Sequence, residues 1–271
     1  MTTLTRKDKE TIRRSVARLL AKAGDADRFS TGLRKLLRSL GRPEDAAGAA
    51  RAIPGLGESF GVPVPLLGLI AAELSPWGKE HPEGAFSLAA RLWEGKARDE
   101  RVLAAKLLER LGKLHPERTL EIASPLVGDL RNWEECDQLA SFGLRSVVTA
   151  RPDLVLPRCA DWGRSEARWT RRFAVVVLTS LPKKKGYVPS EGEFAILDRA
   201  MLDPAHEVQD AVAWAVREIA KRHPEAAAVY LNRHAGSANR YTQRIVRLAA
   251  KGLPEAARAG LDARLGGRGR C

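Results

Sequence analysis

The 271 residues suffice for one large domain or one continuous array of repeats, and 44% hydrophobic residues supply a buried core. No stretch approaches twenty consecutive apolar residues, so we expect no transmembrane span. Lys and Arg number 46 against 33 Asp and Glu, and this surplus of 13 positive charges favours a polyanionic partner. Nucleic acid is the first candidate for that partner, and an alkaline, Arg-rich proteome is the alternative explanation of the charge.

Apolar residues recur at helical spacing along most of the chain, and no stretch alternates apolar and polar residues between Asn-Gly or Asp-Gly turns. The pattern therefore predicts an all-α protein without strands. The predicted helices with the clearest periodicity are Thr5–Lys22, Arg98–Leu114, Asn132–Ala150, Ser165–Leu181, His206–Arg222 and Asn239–Lys251.

A proline closely followed by an acidic residue marks the start of a helix at regular intervals. Proline at the first helical position fixes φ and gives up an N–H group that has no acceptor there, and the acidic residue faces the positive end of the helix dipole. A period of about 30 to 40 residues in a helical chain predicts stacked helix pairs, which form a solenoid. The six prolines, at intervals of 34, 36, 37, 35 and 30 residues, are Pro82, Pro116, Pro152, Pro189, Pro224 and Pro254.

We expect a single HEAT-like repeat domain over residues 1–271, with a helical capping region at 1–75, repeats at 76–265 and a basic tail at 266–271. The expected architecture is a right-handed superhelical solenoid of HEAT-like helix pairs with a concave basic face, because equivalent helices of successive repeats line one surface. Lys183, Lys184 and Lys185 interrupt one repeat, and their run predicts an exposed basic loop.

Three places depart from the plan of a scaffold with apolar residues inside and charged residues outside. Trp133 and Asp137 are four residues apart and share one helix face, although a core Trp beside a surface or capping acid is the alternative. Trp169 and Arg172 are three residues apart and also share a face, although an Arg stem that covers a half-buried Trp is the alternative. Trp214 lies in a helix of small residues, where a core Trp is the alternative.

All of these residues fall in the second helix of their repeats. Trp133 follows Pro116 by 17 residues, and Trp169 follows Pro152 by the same distance. Because equivalent helices of a solenoid line one surface, we expect Trp side chains, a carboxylate and an Arg from three successive repeats to converge on that surface.

Three motifs occur in order along the chain: Trp133-x-x-x-Asp137, then Trp169-x-x-Arg172-x-Ala174, then Gln209-x-Ala211-x-x-Trp214-x-x-Arg217-Glu218. Their order and separation, over about residues 55 to 255, resemble the DNA alkylation repair family, the HEAT-like alkylpurine DNA glycosylases. The turn Gly61-Val62-Pro63-Val64-Pro65 is also similar to the Gly-x-x-x-Pro turn before the first repeats of that family.

The resemblance implies a monofunctional DNA N-glycosylase that excises cationic N3- or N7-alkylated purines from duplex DNA in base excision repair, with no metal or cofactor. It implies that Asp137 is the catalytic carboxylate, that Trp133 and Trp214 hold the deoxyribose of the damaged nucleotide, and that Arg172 contacts the adjacent phosphate. Glycosidic cleavage usually takes two carboxyl groups. One carboxylate fits this substrate, because a cationic purine leaves as a neutral base and needs no protonation.

Basic residues on the expected concave face would supply further phosphate contacts, with a solvated surface as the alternative for each. Glu134 and Glu135 depart from what a DNA-facing site needs, because they add negative charge near it, and Asn132 stands where some members of the family carry a second aromatic residue. The predicted DNA-binding residues are Arg172, Trp169, Arg171, Arg168, Lys183, Lys184, Lys185, Arg240, Arg244 and Arg247.

Two other functions fit the same architecture: a non-catalytic HEAT-like protein that recognises damaged or unusual DNA, and a protein–protein scaffold. The set of Trp133, Asp137, Arg172 and Trp214 disfavours the first, and the net charge of +13 disfavours the second. The three cysteines form no CxxC pair, and the N-terminus lacks the apolar core of a secretory signal, so we expect a cytoplasmic protein. Since nothing in the sequence points to oligomerisation, we expect a monomer.

Overall fold

The computed structural model describes residues 5–258 and residue 261, and the predicted basic tail at 266–271 lies outside them. This part of the chain consists of helices, turns and loops without a strand, which confirms the predicted all-α fold. No helix in the same range is both long enough and apolar enough to cross a membrane. Within that range, no three side chains of His, Cys, Asp or Glu are grouped as metal ligands would be. The chain divides into two compact units, Met1–Ala150 and Arg151–Cys271.

Nine α-helices lie among the described residues of the first unit. They are α1 Arg6–Leu20, α2 Ala26–Leu40, α3 Pro43–Ala52, α4 Val64–Glu80, α5 Pro82–Glu94, α6 Arg98–Leu111, α7 Pro116–Leu126, α8 Trp133–Gln138 and α9 Arg145–Ala150. A 3₁₀ turn, Val127–Asp129, follows α7, and a π-helical turn, Leu139–Gly143, joins α8 to α9. The predicted helix Asn132–Ala150 is therefore broken into three segments. α5 and α6 form a pair, α6 packs on α4, and α7 packs against α9.

Six α-helices of the second unit have both ends among the described residues, and a further helical segment begins at residue 255. The six helices are α10 Pro152–Trp162, α11 Arg168–Leu178, α12 Glu191–Ala200, α13 His206–Ala220, α14 Pro224–His234 and α15 Arg240–Ala250. They form the pairs α10/α11, α12/α13 and α14/α15, and the second helices of these pairs pack side by side in chain order. This stack of helix pairs confirms the predicted solenoid repeat. The handedness of the superhelix and the concavity of its basic face stay predictions.

The proline marks start four helices as predicted. Pro82, Pro116, Pro152 and Pro224 are each the first residue of a helix, and the residue before each has φ between −129° and −137° and ψ between 64° and 68°. This conformation follows from the clash that keeps a residue before proline out of the α region.

The prediction that a helix starts at Pro189 was wrong by two residues. Here α12 begins two residues later, at Glu191, because Ser190 is the N-cap, and its side chain accepts a hydrogen bond from the backbone N–H of Glu193 at 3.2 Å. Pro254 likewise stands just before a helical segment, which begins at residue 255.

The second helix of a pair is buried much more deeply than the first. Eleven of the 14 residues of α6 and eight of the 11 residues of α11 are buried, compared with three of 11 in α7 and two of 11 in α10. The second helix contacts its own partner and also the second helices of neighbouring repeats, as α13 does with α11 and α15. Several charged residues of these helices are therefore buried, among them Glu100, Arg101 and Arg172, and a buried charge needs a partner.

Candidate functional site

Trp133 and Asp137 lie on α8, which the repeat pattern predicts to be the second helix of its helix pair. Asn132 is the buried N-cap of α8, and its side chain accepts a hydrogen bond from the backbone N–H of Glu135 at 3.0 Å. Trp133, the first residue of α8, is 38% exposed, and its indole Nε1 donates to the carbonyl oxygen of Ala52 at 3.4 Å. Asp137 is half-buried one helical turn later. The alternative explanation of Trp133 as a core residue is therefore wrong, since part of its side chain is exposed to solvent.

Two other carboxylates of α8 are buried and paired with arginines of α6. Glu134 accepts two hydrogen bonds from the guanidinium of Arg98, at 2.7 and 2.6 Å. Glu135 accepts one from Arg101 at 2.7 Å and another from the backbone N–H of Arg131 at 3.0 Å. The expectation that these residues add negative charge beside a DNA-facing site was therefore wrong, because their charges are neutralised inside the protein.

A cleft of about 420 Å³ opens beside Trp133 and Arg98. Its other walls are one face of α3, with Gly48, Ala49 and Ala52, and the turn that leads into α4. Three acidic residues, Glu44, Asp45 and Glu134, also line this cleft.

The turn at the cleft is the Gly-x-x-x-Pro segment found in the sequence, and a buried carboxylate holds it. Asp99 is fully buried and accepts hydrogen bonds from the backbone N–H groups of Phe60 at 2.6 Å and Val62 at 2.8 Å. Gly61 has a φ of +76°, and a Cβ atom there would lie 2.1 Å from the carbonyl oxygen of Arg42. Only glycine fits at this position, and the wall of the cleft is fixed by it.

A π-helical turn begins two residues after Asp137. In Leu139–Gly143 the chain gains one residue per turn, and the backbone N–H of Leu144 bonds to the carbonyl oxygen of Leu139 at 3.0 Å. Phe142 in this turn has the ammonium of Lys106 at 4.0 Å and the guanidinium of Arg145 at 4.6 Å from its ring centre. Single π-helical turns inside α-helices are frequent at functional sites.

The second unit holds the predicted Trp169 and Arg172 near the start of α11. Arg168, the first residue of that helix, is exposed, and its guanidinium lies 5.1 Å from the ring centre of the half-buried Trp169. Arg172 is only 8% exposed and donates from Nη1 to the carbonyl oxygen of Glu207 at 2.7 Å.

Arg171 stabilises the second unit through hydrogen bonds to residues before α11 and before α13. Its guanidinium donates to both carboxylate oxygens of Asp203, at 2.6 and 3.2 Å, and to the carbonyl oxygens of Ser165 and Glu166, at 3.0 and 2.7 Å. These bonds use four of its five N–H donors and tie the start of α11 to the segment before α13. A phosphate at Arg171 would therefore compete with Asp203, and its contact with DNA stays a prediction.

Trp214 lies in the middle of α13 and is half-buried, unlike the core residue Trp93, which is 2% exposed. Its indole Nε1 donates to the carboxylate of Glu218 at 3.0 Å, and Lys221 binds the same carboxylate oxygen at 2.6 Å. The tryptophan thus keeps part of its ring at the surface, while its polar edge is satisfied within the helix.

The remaining basic residues of the second unit differ in exposure. Lys183, Lys184 and Lys185 lie in an exposed loop, as predicted. Arg240 and Arg247 are also exposed, and Arg240 lies over the ring of the adjacent Tyr241 at 4.9 Å.

Arg244 is half-buried and is engaged within the protein. It donates to the carboxylate of Asp210 at 2.8 Å and to the side-chain oxygen of Gln209 at 3.2 Å. A phosphate at Arg244 would therefore compete with Asp210.

His206 lies at a repeat position that the sequence analysis did not single out. It is the first residue of α13, as Arg168 is of α11 and Arg240 is of α15, and all three are exposed. The repeat pattern could have identified this position, because His206, Arg168 and Arg240 each begin the second helix of a pair.

The second unit also carries the larger surplus of positive charge, with 22 Lys and Arg against 13 Asp and Glu, compared with 24 against 20 in the first unit.

The structure thus brings Trp133 and Asp137 onto one helix of the first unit, and it places Arg168, Trp169 and Arg172 on one helix of the second. The convergence of all the predicted site residues on a single surface stays a prediction.

Comparison with known proteins gives no match among curated proteins. A solved structure of a designed armadillo repeat protein in complex with the peptide (KR)4 is similar at 14% sequence identity and a TM-score of 0.41, over 90% of this chain and 99% of that chain. The family of DNA alkylation repair enzymes matches residues 33–249, a range that includes Trp133, Asp137, Arg172 and Trp214. The chain therefore belongs to the DNA alkylation repair enzyme family, and its role lies in DNA repair.

Proposed function

We propose that the protein is a DNA glycosylase that hydrolyses the N-glycosidic bond of cationic N3- and N7-alkylated purines in duplex DNA, the first step of base excision repair. The observation that carries the proposal is the sorting of the three carboxylates on α8. Glu134 and Glu135 are buried in pairs with Arg98 and Arg101, whereas Asp137 is only half-buried and shares a helix face with the exposed Trp133. A partly exposed carboxylate on the same helix face as an exposed aromatic ring suits a reaction in which positive charge develops on the substrate.

The chemistry needs few protein groups. A purine alkylated at N3 or N7 already carries a positive charge, and the C1′–N bond breaks with the electron pair going to the base, which leaves neutral. Positive charge then grows on the deoxyribose, and the Asp137 carboxylate stabilises it and orients the water that attacks C1′. One preorganised electrostatic contact of this kind is worth about 3–4 kcal/mol. Normal purines leave as anions unless protonated, so the same contact would not suffice to release them.

The aromatic and basic residues bind and orient the nucleotide in this proposal. The face of Trp133 lies along the deoxyribose in this proposal and attracts the developing cation, which is worth about 0.5–2 kcal/mol. That Trp214 also holds the sugar stays a prediction of the family resemblance.

Arg168, Arg240 and Arg247 are exposed and contact backbone phosphates in this proposal, and a phosphate at Arg168 competes with Glu207, which lies 3.7 Å from its guanidinium. Arg172 is 8% exposed and donates to the carbonyl oxygen of Glu207, so its contact with a phosphate stays a prediction of the family resemblance.

The test is release of free 7-methylguanine from a duplex that contains it, under single-turnover conditions with enzyme in excess. The wild-type protein is expected to release the base, and Asp137→Asn is expected to be slower by about 100-fold or more, the effect of removing one preorganised electrostatic contact. Both proteins should bind the undamaged duplex with similar affinity, because the substitution removes no phosphate contact.

A matched control for this substitution is Asp210→Asn. Asp210 is the fifth residue of α13, as Asp137 is of α8, but the first residue of its helix is His206 and not a tryptophan. Base release should persist in this variant. Equal release by Asp137→Asn and wild type would remove Asp137 from the reaction, and binding without release by the wild type would instead support the non-catalytic DNA-binding protein.

A further inference from the structure

A groove between α10 and α12, the first helices of two successive pairs in the second unit, lies outside the residues that the proposed reaction uses. Its volume of about 350 Å³ falls within the range of about 300–1,000 Å³ that is typical of binding sites. We call it the α10/α12 groove; its apolar walls are Leu156, Pro157 and Ala160 from α10 and Ala195 and Ile196 from α12. Within the described part of the chain, none of the predicted DNA-binding residues lines it.

The groove is open because the residues along it are small. Four of the residues that line it are glycine or alanine, namely Ala160, Gly163, Gly192 and Ala195. A Cβ atom at Gly192 would meet no other atom within 4 Å, so the space beside that residue is empty of protein. These short side chains do not fill the space between the two helices, and the apolar walls remain accessible from solvent.

The apolar surface continues beyond the groove. An adjoining cleft of about 490 Å³ shares Gly163, Ile196 and Arg199 with it and extends to Leu202. Leu202 is 59% exposed, unlike the neighbouring Met201, which is buried. Contiguous apolar surface of this kind on a folded protein is typical of a site that contacts another protein.

Two arginines line the α10/α12 groove, and no carboxylate does so among the described residues. Arg199 is exposed, and its Nε donates to the carbonyl oxygen of Gly163 at 3.2 Å, which holds the guanidinium between α12 and the end of α10. Arg164 is paired with Asp161 at 3.2 Å, but both side chains are more than half exposed, and such a surface pair contributes little. Both arginines are therefore open to a carboxylate of a ligand.

The composition of the walls favours a protein over nucleic acid as the ligand. Interfaces with DNA are more polar than interfaces between proteins. An apolar centre with arginine at its edge is typical of a protein interface. The adjoining cleft adds no free negative charge, because the carboxylate of Asp203 accepts two hydrogen bonds from Arg171.

We propose that the α10/α12 groove binds an acidic amphipathic segment of a partner protein. One face of that segment carries apolar side chains that enter the groove, and Asp or Glu beside them pairs with Arg164 and Arg199. A helix of about three turns fits, because α10 has 11 residues and is about 16 Å long. Amphipathic helices bind apolar grooves of other proteins in this way.

The experiment selects random peptides of about 12 residues, which span about 18 Å as a helix, by phage display on the full-length wild-type protein. The peptides that bind are synthesised with a fluorescent label, and their affinity is measured by anisotropy. They should carry apolar residues at helical spacing and a net negative charge. Their affinity should fall as salt is added, because salt screens the contact with the two arginines.

A variant that fills the groove tests where the peptides bind. Ala195 is exposed on α12, and in Ala195→Trp the indole occupies the space between the helices. The selected peptides should bind this variant at least about 10-fold more weakly, because their apolar anchors lose the pocket. The matched control is Ala50→Trp, at an exposed alanine of α3, which should bind them as the wild type does.

A second variant tests the charge, and it leaves the apolar walls unchanged. Arg199→Glu should weaken binding by about fivefold, since it replaces an attraction to the acidic peptide with a repulsion. Arg158→Glu is its control, because Arg158 is an exposed residue of α10 that does not line the groove. This control should keep nearly the wild-type affinity.

Four results would overturn the proposal. They are the recovery of no binding peptide, the recovery of peptides with net positive charge, equal binding to wild type and Ala195→Trp, and equal losses in Arg199→Glu and Arg158→Glu. Two other ligands would be identified by their own signals. Undamaged duplex DNA that binds Arg199→Glu more weakly than Arg158→Glu, with no peptide recovered, would assign the groove to DNA. Self-association of the wild type that Ala195→Trp abolishes would assign it to a second copy of this chain.

The inference does not depend on the proposed function, and base release separates the two. Ala195→Trp and Arg199→Glu should release 7-methylguanine at the wild-type rate, because neither residue belongs to the reaction. Peptides that require the groove of a protein whose wild type releases no base would support the groove and contradict the glycosylase. An active protein from which no such peptide is recovered would do the reverse.

Discussion

Trp133 and Glu134 are neighbours in the sequence, but Trp133 is exposed to solvent and Glu134 is buried. Trp133 stands at the exposed first position of α8, while Glu134 turns inward to the guanidinium of Arg98 on α6. A buried charge without a partner costs several kcal/mol, so Glu134 and Arg98 depend on each other. Asp137 is the carboxylate of this helix that remains partly exposed. The arrangement distinguishes structural acids from the proposed catalytic one.

Replacing Trp133 should slow base release through loss of its ring. For Trp133→Ala we expect the single-turnover rate of 7-methylguanine release to fall by about 2- to 30-fold, the effect of losing about 0.5–2 kcal/mol of cation–π attraction. Trp133→Phe keeps an aromatic face and should retain most of the rate. If the two variants react equally fast, the ring face plays no part in the reaction.

Among the elements, α12 carries a buried acid that no arginine neutralises. Burial raises the pKa of Glu193 to about 7, and the hydrogen bond from the hydroxyl of Tyr187 offsets only part of that rise. The same carboxylate holds Tyr187, the last residue of the four-residue turn that begins at Lys184. Deprotonation of Glu193 therefore puts an unpaired charge at the point that links α12 to this turn.

The unfolding free energy should depend on pH through Glu193. The pKa rises from 4.5 to about 7 on folding, so the folded protein keeps a proton that the unfolded chain has already released in this range. Stability from this group is complete below pH 4.5 and is lost as the pH rises to 7, by on the order of 3 kcal/mol. Denaturant unfolding at several pH values should show this loss in wild type and not in Glu193→Gln.

Glu191→Gln is the control for that comparison, because Glu191 is exposed in the first turn of the same helix. This variant should follow the wild-type pH profile. A Glu193→Gln profile parallel to that of wild type would mean that Glu193 does not titrate in the range between 4.5 and 7.

At the scale of the whole molecule, the charge surplus is distributed unevenly. The second unit has nine more Lys and Arg than Asp and Glu, and the first unit has four more. Much of the positive charge is neutralised internally, as in the pairs of Arg98 with Glu134 and of Arg171 with Asp203. Each pair removes one cation and one anion, so pairing leaves the net charge at +13 and lowers only the number of the 46 Lys and Arg that are open to a ligand.

Binding of undamaged duplex DNA should have a moderate salt dependence, because only some of the predicted DNA-binding residues are exposed. The exposed candidates Arg168, Arg240, Arg247, Lys184 and Lys185 would each neutralise about one phosphate. At about 0.9 per contact, the slope of log K against log salt concentration should be about −4 to −5. Fluorescence anisotropy over a range of salt concentrations measures it. A slope near −1 would contradict an extended phosphate-binding surface, and one near −10 would mean that the paired arginines also bind.

The sequence alone determined the helical class, the repeat and most helix starts. These features are local, because a proline at the first helical position and an apolar period of 3.6 act within one or two turns. The candidates Trp133, Asp137, Trp169 and Trp214 were also accessible from the sequence, through their places in the second helices.

Only the tertiary structure decided which charges are buried and paired and which remain for a ligand. Arg98 with Glu134, Arg101 with Glu135, and Arg171 with Asp203 are 36, 34 and 32 residues apart, about one repeat each. Such pairs form because stacking places equivalent helices side by side, and the energy of a charge depends on that burial and not on its own sequence neighbours. The π-helical turn after Asp137 and the turn that begins at Lys184 were decided in the same way, since their geometry follows from packing over distances that no local pattern covers.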